Sequence, residues 1–194
     1  DGFIKSRSLR LDGESYSGDA VLFDLSRTTQ NWESSIGYKQ LSPLYRTPLG
    51  FVTKNSYREI EFSQNYIYYG NNFIQQANIG TALWGQFNYD NFQKSSGIEL
   101  RGELIMKNNL RTGFKFNHQF NNEFEGFNPK NLNSIGWMVN YSPSEIVTLR
   151  FGIGMGDQIG YNLDELALGD ELNIRTFNSF QLSDKFRISP ILRY

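Results

Sequence analysis

The strongest constraint on the fold of this chain is a two-residue alternation of apolar and polar side chains along most of its length. Within residues 98–115, Leu100 and Leu104 alternate with the charged residues Arg101 and Glu103. Successive side chains of a β-strand point to opposite faces of a sheet. The pattern therefore predicts strands that have one apolar face and one polar face.

The same alternation predicts eleven strands along the chain. They cover residues 6–12, 20–27, 31–39, 57–68, 74–88, 96–106, 110–119, 133–141, 146–155, 172–182 and 186–194. Four of the five prolines lie outside these segments, where the missing backbone donor costs nothing, and Pro190 indicates an edge or a strand end.

The connections between the predicted strands alternate between short and long. Turn-forming residues occupy 70–72, 107–109, 142–145 and 183–185, and the longer gaps are 40–56, 89–95, 120–132 and 156–171. This order is typical of an up-and-down meander, and outer-membrane barrels show the same asymmetry between their two ends. We therefore predict an all-β protein, an antiparallel up-and-down transmembrane β-barrel, as one domain spanning residues 1–194.

The polar face of the predicted strands carries charges of both signs. We expect seven of them to line the interior of the barrel: Glu99, Arg101, Glu103, Arg111, Lys115, Arg150 and Arg175. Ile67, Trp84 and Phe177 also fall on this face, and Gln64 interrupts the apolar one. Aromatic residues cluster near the strand ends, for example Tyr66 and Phe87, as at membrane interfaces.

Composition excludes several classes of function. The chain has no cysteine, so it has neither a disulfide nor a thiolate metal site. Its formal net charge is -1, which gives no broad basic field for nucleic acid. No run of about 18 apolar residues predicts a membrane helix.

Strand parity predicts that the chain is a section of a larger barrel. Bacterial single-chain barrels have an even number of strands, whereas eleven are predicted here, and the last strand ends on the long-loop side. We expect further strands, from this polypeptide or another, to pair with the first and last strands.

The segment 31–58 resembles a family of uncharacterised bacterial outer-membrane proteins. In that family a domain similar to carbohydrate-binding family nine precedes a C-terminal β-barrel. The matching residues are Trp32, Ser42, Pro43, Tyr45, Gly50, Phe51, Val52 and Lys54. The resemblance implies an outer-membrane barrel without a known reaction, preceded in the full protein by a soluble domain.

The sequence predicts a passive function in a Gram-negative outer membrane. The chain would serve as a pore, a plugged channel or a membrane anchor, with carbohydrate-related binding or uptake implied by the resemblance. The expected partners are outer-membrane lipid, other subunits or the N-terminal domain, and not nucleic acid. Three alternatives stay open: an accessory subunit of a secretion or uptake complex, a soluble barrel that binds a lipophilic ligand, and an outer-membrane hydrolase.

No residue pattern predicts catalysis, so we expect no enzyme activity. The single histidine, His118, lies in phase with the apolar face, and no serine is placed to complete a triad with Glu123 or Glu125. Glu99 and Glu103 share a strand face, but four residues along a strand span about 13 Å, too far for most carboxylate pairs.

Neither a cofactor nor a metal is expected. Gly152, Gly154 and Gly156 lack the Lys-Ser/Thr and the helix of a phosphate loop. We expect them instead where another side chain or a plug approaches the sheet. The acidic segment 157–171 lacks the spacing of a calcium loop.

Overall fold

The computed structural model describes residues 18–45, 56–160 and 166–194, which form one antiparallel sheet. Its strands are β1 (Ala20–Thr28), β2 (Trp32–Leu41), β3 (Tyr57–Tyr69), β4 (Ile74–Asn88), β5 (Gln93–Met106), β6 (Leu110–Asn122), β7 (Lys130–Ser144), β8 (Val147–Gly160), β9 (Ala167–Phe177), β10 (Ser179–Ser183), β11 (Phe186–Ile188) and β12 (Ile191–Arg193). Strands β1 to β8 are neighbours in chain order, and β8 pairs with both β9 and β10. The predicted all-β, antiparallel, up-and-down arrangement is confirmed.

Beyond β8, the chain forms two further rows of the sheet, and each row is divided into two short strands: β9 and β10 in the first, β11 and β12 in the second. Asn178 separates β9 from β10, and Ser189 and Pro190 separate β11 from β12. The Asn178 amide donates to the Pro190 carbonyl at 3.1 Å, so the two interruptions lie side by side. Pro190 has no amide to donate to the ladder, and its predicted position at an edge or strand end is confirmed.

Several predicted boundaries are wrong. Strand β7 continues to Ser144, so Pro143 lies within a strand and the turn is confined to residues 145–146. The β7–β8 register shifts between Tyr141 and Ser144, and such an irregularity accommodates proline. Strand β9 begins at Ala167, earlier than predicted, because acidic and small residues there still pair with β8. The strand predicted at 6–12 lies outside the described residues.

Connections at one end of the strands are two to four residues long, and those at the other end are at least four. The gap predicted at 89–95 is only 89–92, because β5 begins at Gln93, so it is no longer than the connection at 70–73. One end of the strands carries the connections 29–31, 70–73, 107–109, 145–146 and 184–185, and the other end carries 42–56, 89–92, 123–129 and 161–166. At 107–109, Asn108 and Asn109 have φ angles of 61° and 54°. Asparagine tolerates this left-handed conformation, which matches the twist of a two-stranded hairpin.

The described residues form a single layer without a packed core. Five apolar residues are buried, namely Leu41, Tyr57, Ile67, Leu132 and Ile159, and no large side chain is fully buried. Strand β1 pairs only with β2, and no described strand joins it to β11 or β12, so this part of the chain is an open sheet. Within the described ranges, no helix has the length and apolarity needed to cross a membrane.

Candidate functional site: the charged face of the sheet

The two faces of the sheet differ sharply in chemistry. The ladder aligns Arg101 with Lys115, Gly136, Gly154 and Asn173 across β5 to β9. We call this side the polar face, and the side that carries Leu100 the apolar face. From β5 to β9 the register is regular in this region, so the charged and small side chains stay on one side of the sheet. A slip of one residue would move the side chains of a strand to the opposite face.

A cavity of about 1120 Å³ lies along the polar face. Its lining includes Asn65 from β3, Arg101 from β5, Lys115 from β6, Arg150 from β8 and Arg175 from β9. A single cavity can be lined by strands so far apart in the sheet only if the sheet curves. The polar face is therefore the concave one, and the cavity is a trough along it.

Two ion pairs cross the β5–β6 ladder on the polar face. Arg111 Nε lies 2.7 Å from Glu103 Oε1, and Arg111 Nη2 donates to Glu103 Oε2 at 3.1 Å. Lys115 Nζ lies 2.6 Å from Glu99 Oε2. Each glutamate thus has its own cation, an arrangement that neutralises the two carboxylates rather than pairing them for acid–base chemistry.

Arg101 lies between these ion pairs in sequence but takes part in neither. A Cβ atom built at Gly80 would lie 3.0 Å from Arg101 Nε and 3.0 Å from Asn65 Oδ1. Both side chains therefore lie close above the backbone of β4, where only glycine leaves room. Arg101 therefore does not neutralise Glu99 or Glu103 directly, since Lys115 and Arg111 hold those carboxylates.

Arg150 and Arg175 line the same trough on β8 and β9. Neither has a carboxylate within ion-pair distance among the described residues. The backbone amide of Arg150 donates to Asn178 Oδ1 at 3.3 Å, and the side chains of Arg150 and Arg175 are both exposed. The seven charged residues selected from the sequence therefore divide into two ion pairs and three arginines without an acidic partner.

Glycines form the floor of the trough between these arginines and the β5–β6 ion pairs. A Cβ atom at Gly136, Gly152 or Gly154 would approach only a backbone carbonyl oxygen, at 3.7, 3.8 and 3.8 Å respectively. No side chain occupies the space above these three glycines. They widen the trough at its centre, and none of them forms a phosphate loop, because all belong to strands.

A buried ion pair lies where β5 begins and β6 ends. Lys94 Nζ pairs with Glu123 Oε2, and both side chains are about nine-tenths buried. Burial alone would raise the pKa of Glu123, but the hydrogen bonds from Lys94 and from the Gly126 amide together lower that pKa below its usual value of 4.5. The Gly126 amide donates to Glu123 Oε1 at 2.9 Å, so the carboxylate also orders the following loop.

His118 lies on the apolar side of β6, away from any carboxylate contact among the described residues. Its Nδ1 is 2.8 Å from Asn133 Oδ1, and its ring meets Phe120 edge-on at 4.9 Å between centroids. Glu123, a conceivable acid partner, is held by Lys94 instead. Among the described residues, His118 therefore has one side-chain hydrogen bond and one aromatic contact.

The described residues contain no group of three or more histidine or acidic side chains suited to a metal ion. Asp164 and Glu165, which belong to the acidic segment considered from the sequence, lie outside the described residues. Asp157, the first acid of that segment, accepts a hydrogen bond from the Asn133 amide at 2.7 Å.

The apolar face exposes large side chains over nearly its whole area. Ile79 is 60 % exposed, Met155 52 % and Ile135 50 %. Two polar side chains on this face bond to each other and to the backbone: Trp137 Nε1 donates to Thr112 Oγ1 at 2.9 Å, and Thr112 Oγ1 donates to the Met138 carbonyl at 3.0 Å.

Two charged contacts of the sheet were missed from the sequence. Arg193 lies directly across the ladder from Arg175, which depends on a pairing between β9 and β12 that alternation alone does not reveal. The Lys94–Glu123 ion pair joins residues on either side of the β5–β6 hairpin. The sequence shows all four charged residues, but only the register of the paired strands shows which of them lie next to each other.

No protein-family model, no curated protein and no solved structure matches this chain.

Proposed function

We propose that this chain forms a section of the wall of a β-barrel in the outer membrane of a Gram-negative bacterium. The apolar face contacts lipid, and the polar trough faces the aqueous interior. The section contributes to a passive pore, a plugged channel or a membrane anchor.

The observation that carries this proposal is an apolar face that none of the described residues covers. Leu100, Phe114 and Trp137 are 42 %, 48 % and 47 % exposed at the middle of long paired strands. A water-soluble protein rarely leaves a contiguous apolar surface of this extent open. Lipid acyl chains offer a covering layer that requires no partner of defined shape.

Strand length supports the same proposal. Strands β3 to β8 contain 13 to 15 residues each. A tilted transmembrane strand needs about 9–11 residues to cross the hydrocarbon layer. These strands are long enough to cross it and to extend beyond it into the headgroup region or the water.

Aromatic side chains occupy positions suited to membrane interfaces. Trp32 and Tyr66 are in contact near the short-connection end of β2 and β3, with ring centroids 4.8 Å apart. Phe87 and Phe120 lie near the opposite end of the apolar face. Two aromatic zones separated by aliphatic side chains are typical of transmembrane barrels.

The polar trough supports an aqueous interior. Its charges occur on the concave side, together with the glycine floor, whereas a soluble barrel that binds a lipophilic ligand would place its apolar face inside. The proposal of a passive role rests on the paired state of Glu99 and Glu103 and on the contacts of His118, which offer no constellation for hydrolysis.

A second proposal, an accessory subunit of a secretion or uptake complex, is favoured by the open edges of the sheet. Among the described strands, β1 forms one unpaired edge of the sheet, and β11 and β12 form the other. In lipid, each unpaired backbone group costs several kcal/mol, so both edges require further strands. Those strands belong to the same polypeptide in the first proposal and to another chain in the second.

Fractionation of cells that express the full protein tests the proposal. We expect the protein to sediment with outer membranes, to require detergent for extraction, and to migrate differently on gels before and after boiling. A protein that stays in the supernatant and remains monodisperse without detergent would overturn the membrane assignment. Cross-linked partners in native membranes would distinguish a subunit of a complex from a self-contained barrel.

A further inference from the structure

Three arginines meet on the polar face where β8, β9 and β12 lie side by side. Arg175 and Arg193 are directly opposite each other in the β9–β12 ladder. Arg175 is also opposite Gly152 in the β8–β9 ladder, so Arg150, two residues from Gly152, is its diagonal neighbour. Opposite residues lie about 5 Å apart and diagonal ones about 7–8 Å. We call Arg150, Arg175 and Arg193 the arginine cluster.

The arginine cluster lacks the acidic partners that the other polar-face cations have. Arg111 is held by Glu103, and Lys115 by Glu99, but no described carboxylate pairs with any arginine of the cluster. The cluster's ladder neighbours are uncharged: Asn140 lies opposite Arg150, and Gly152 opposite Arg175. Like charges placed opposite each other destabilise a sheet, so this arrangement costs free energy in the unoccupied protein.

The surroundings leave the guanidinium groups accessible. Arg150, Arg175 and Phe177 line the trough, and the guanidinium carbon of Arg193 lies 5.4 Å from the centroid of the Phe177 ring. Gly152 carries no side chain into the space between Arg150 and Arg175, and a Cβ atom there would meet only a backbone oxygen at 3.8 Å. The aromatic ring orients one arginine, and the glycine keeps the centre of the cluster open.

We propose that the arginine cluster binds a soluble oxyanion that carries two or more negative charges, such as a phosphorylated or multiply carboxylated solute. Guanidinium groups form paired hydrogen bonds with phosphate and carboxylate oxygens, and a doubly charged group relieves the repulsion within the cluster. The ligand is a solute rather than a lipid headgroup, because the cluster lies on the face opposite the apolar side chains. This site goes beyond the proposed membrane function, and only the choice of a solute over a lipid headgroup rests on that function.

Calorimetric titration with inorganic pyrophosphate tests the site, using the full chain purified in a zwitterionic detergent at low ionic strength. We expect saturable binding that chloride does not reproduce. Arg175→Gln and Arg150→Gln should each weaken binding about tenfold, the loss expected for a charge-assisted hydrogen-bonded contact. Arg27→Gln is the matched control. It removes the same charge from β1, on the apolar face of the sheet and far from the arginine cluster, and should leave the affinity unchanged.

The stability of the variants provides an independent measurement. Without pyrophosphate, Arg175→Gln should unfold at the same temperature as the wild type or at a higher one, because it removes repulsion rather than a bond. A structural ion pair would give the opposite sign. The proposal is overturned if the wild type does not bind pyrophosphate, if Arg27→Gln weakens binding as much as Arg175→Gln, or if Arg175→Gln lowers the unfolding temperature without ligand.

Discussion

Phe114 covers Gly102 on the apolar face of the sheet. The two residues are directly opposite each other in the β5–β6 ladder, and a Cβ atom at Gly102 would collide with the Phe114 ring. Trp84 covers Gly97 on the polar face in the same way, with its Cζ2 atom 2.5 Å from a Cβ atom built there. An aromatic ring placed over a cross-strand glycine restores the contact area that the glycine lacks and helps to fix the register.

Replacement of Gly102 by valine should therefore destabilise the sheet. The added side chain needs the space of the Phe114 ring, and overpacking of this kind costs about 1–3 kcal/mol. Folding yield and denaturant unfolding would measure the loss. Gly169→Val in β9 is the matched control, since nothing lies within 4 Å of a Cβ atom there. If Gly102→Val were equally harmful in a Phe114→Ala background, the ring contact would not be the cause.

These glycine–aromatic pairs also show what the sequence could and could not predict. Alternation and turn residues predicted the strands and their faces, because both are local properties of the chain. Trp84 then stood as an exception on the polar face, and its explanation is the ring's position over Gly97 in the next strand. That contact depends on register, which alternation leaves undetermined.

The seven charged residues illustrate the same division. Their shared face follows from strand period, which the sequence contains. Their ion-pair partners do not follow from it. Arg111 holds Glu103, although Arg101 is nearer in sequence, because the hairpin at 107–109 brings β6 beside β5. Likewise, Arg193 joins Arg175 only through the ladder between β9 and β12.

Glu123 should make stability depend on pH below neutrality. The pKa of Glu123 is lowered in the folded protein, so its stabilising contribution is complete above 4.5, the usual value, and is lost as pH falls through the lower folded pKa. Glu123→Gln should cost about 1–3 kcal/mol at pH 7, because the buried Lys94 loses its partner. Denaturant unfolding of wild type and variant between pH 7 and pH 3 measures this.

The difference between wild type and Glu123→Gln should shrink toward the acidic end of that range. Glu125→Gln serves as the control, because Glu125 is an exposed residue of the same loop. A constant difference across the whole pH range, or an equal loss in Glu125→Gln, would contradict the assigned role of the Lys94–Glu123 pair.

His118 should be dispensable for any chemistry. Its ring bonds to Asn133 and packs on Phe120, so we expect His118→Ala to reduce stability slightly and to change no reaction. Purified protein would be assayed for hydrolysis of phospholipids and peptides. Hydrolysis that disappears in a normally folded His118→Ala variant would restore the outer-membrane hydrolase as the better account.

Adjacent residues on the two faces should respond differently to substitution. Leu100→Arg places a charge on the proposed lipid face, where arginine costs about 2–4 kcal/mol at the middle of the bilayer. Glu99→Gln removes one exposed ion pair with Lys115, which contributes about 0–1 kcal/mol. Folding yield into liposomes should fall sharply for Leu100→Arg and little for Glu99→Gln, and equal losses would contradict the face assignment.

Accessibility of labels on the two faces tests the central claim most directly. The chain has no cysteine, so Leu100→Cys and Arg101→Cys each introduce a single position for a fluorescent label. In liposomes, the label at 100 should be quenched by a quencher attached to lipid acyl chains, and the label at 101 by a water-soluble quencher. Equal quenching of both labels by the water-soluble reagent, or the reverse pattern, would contradict a lipid-facing apolar surface and an aqueous polar trough.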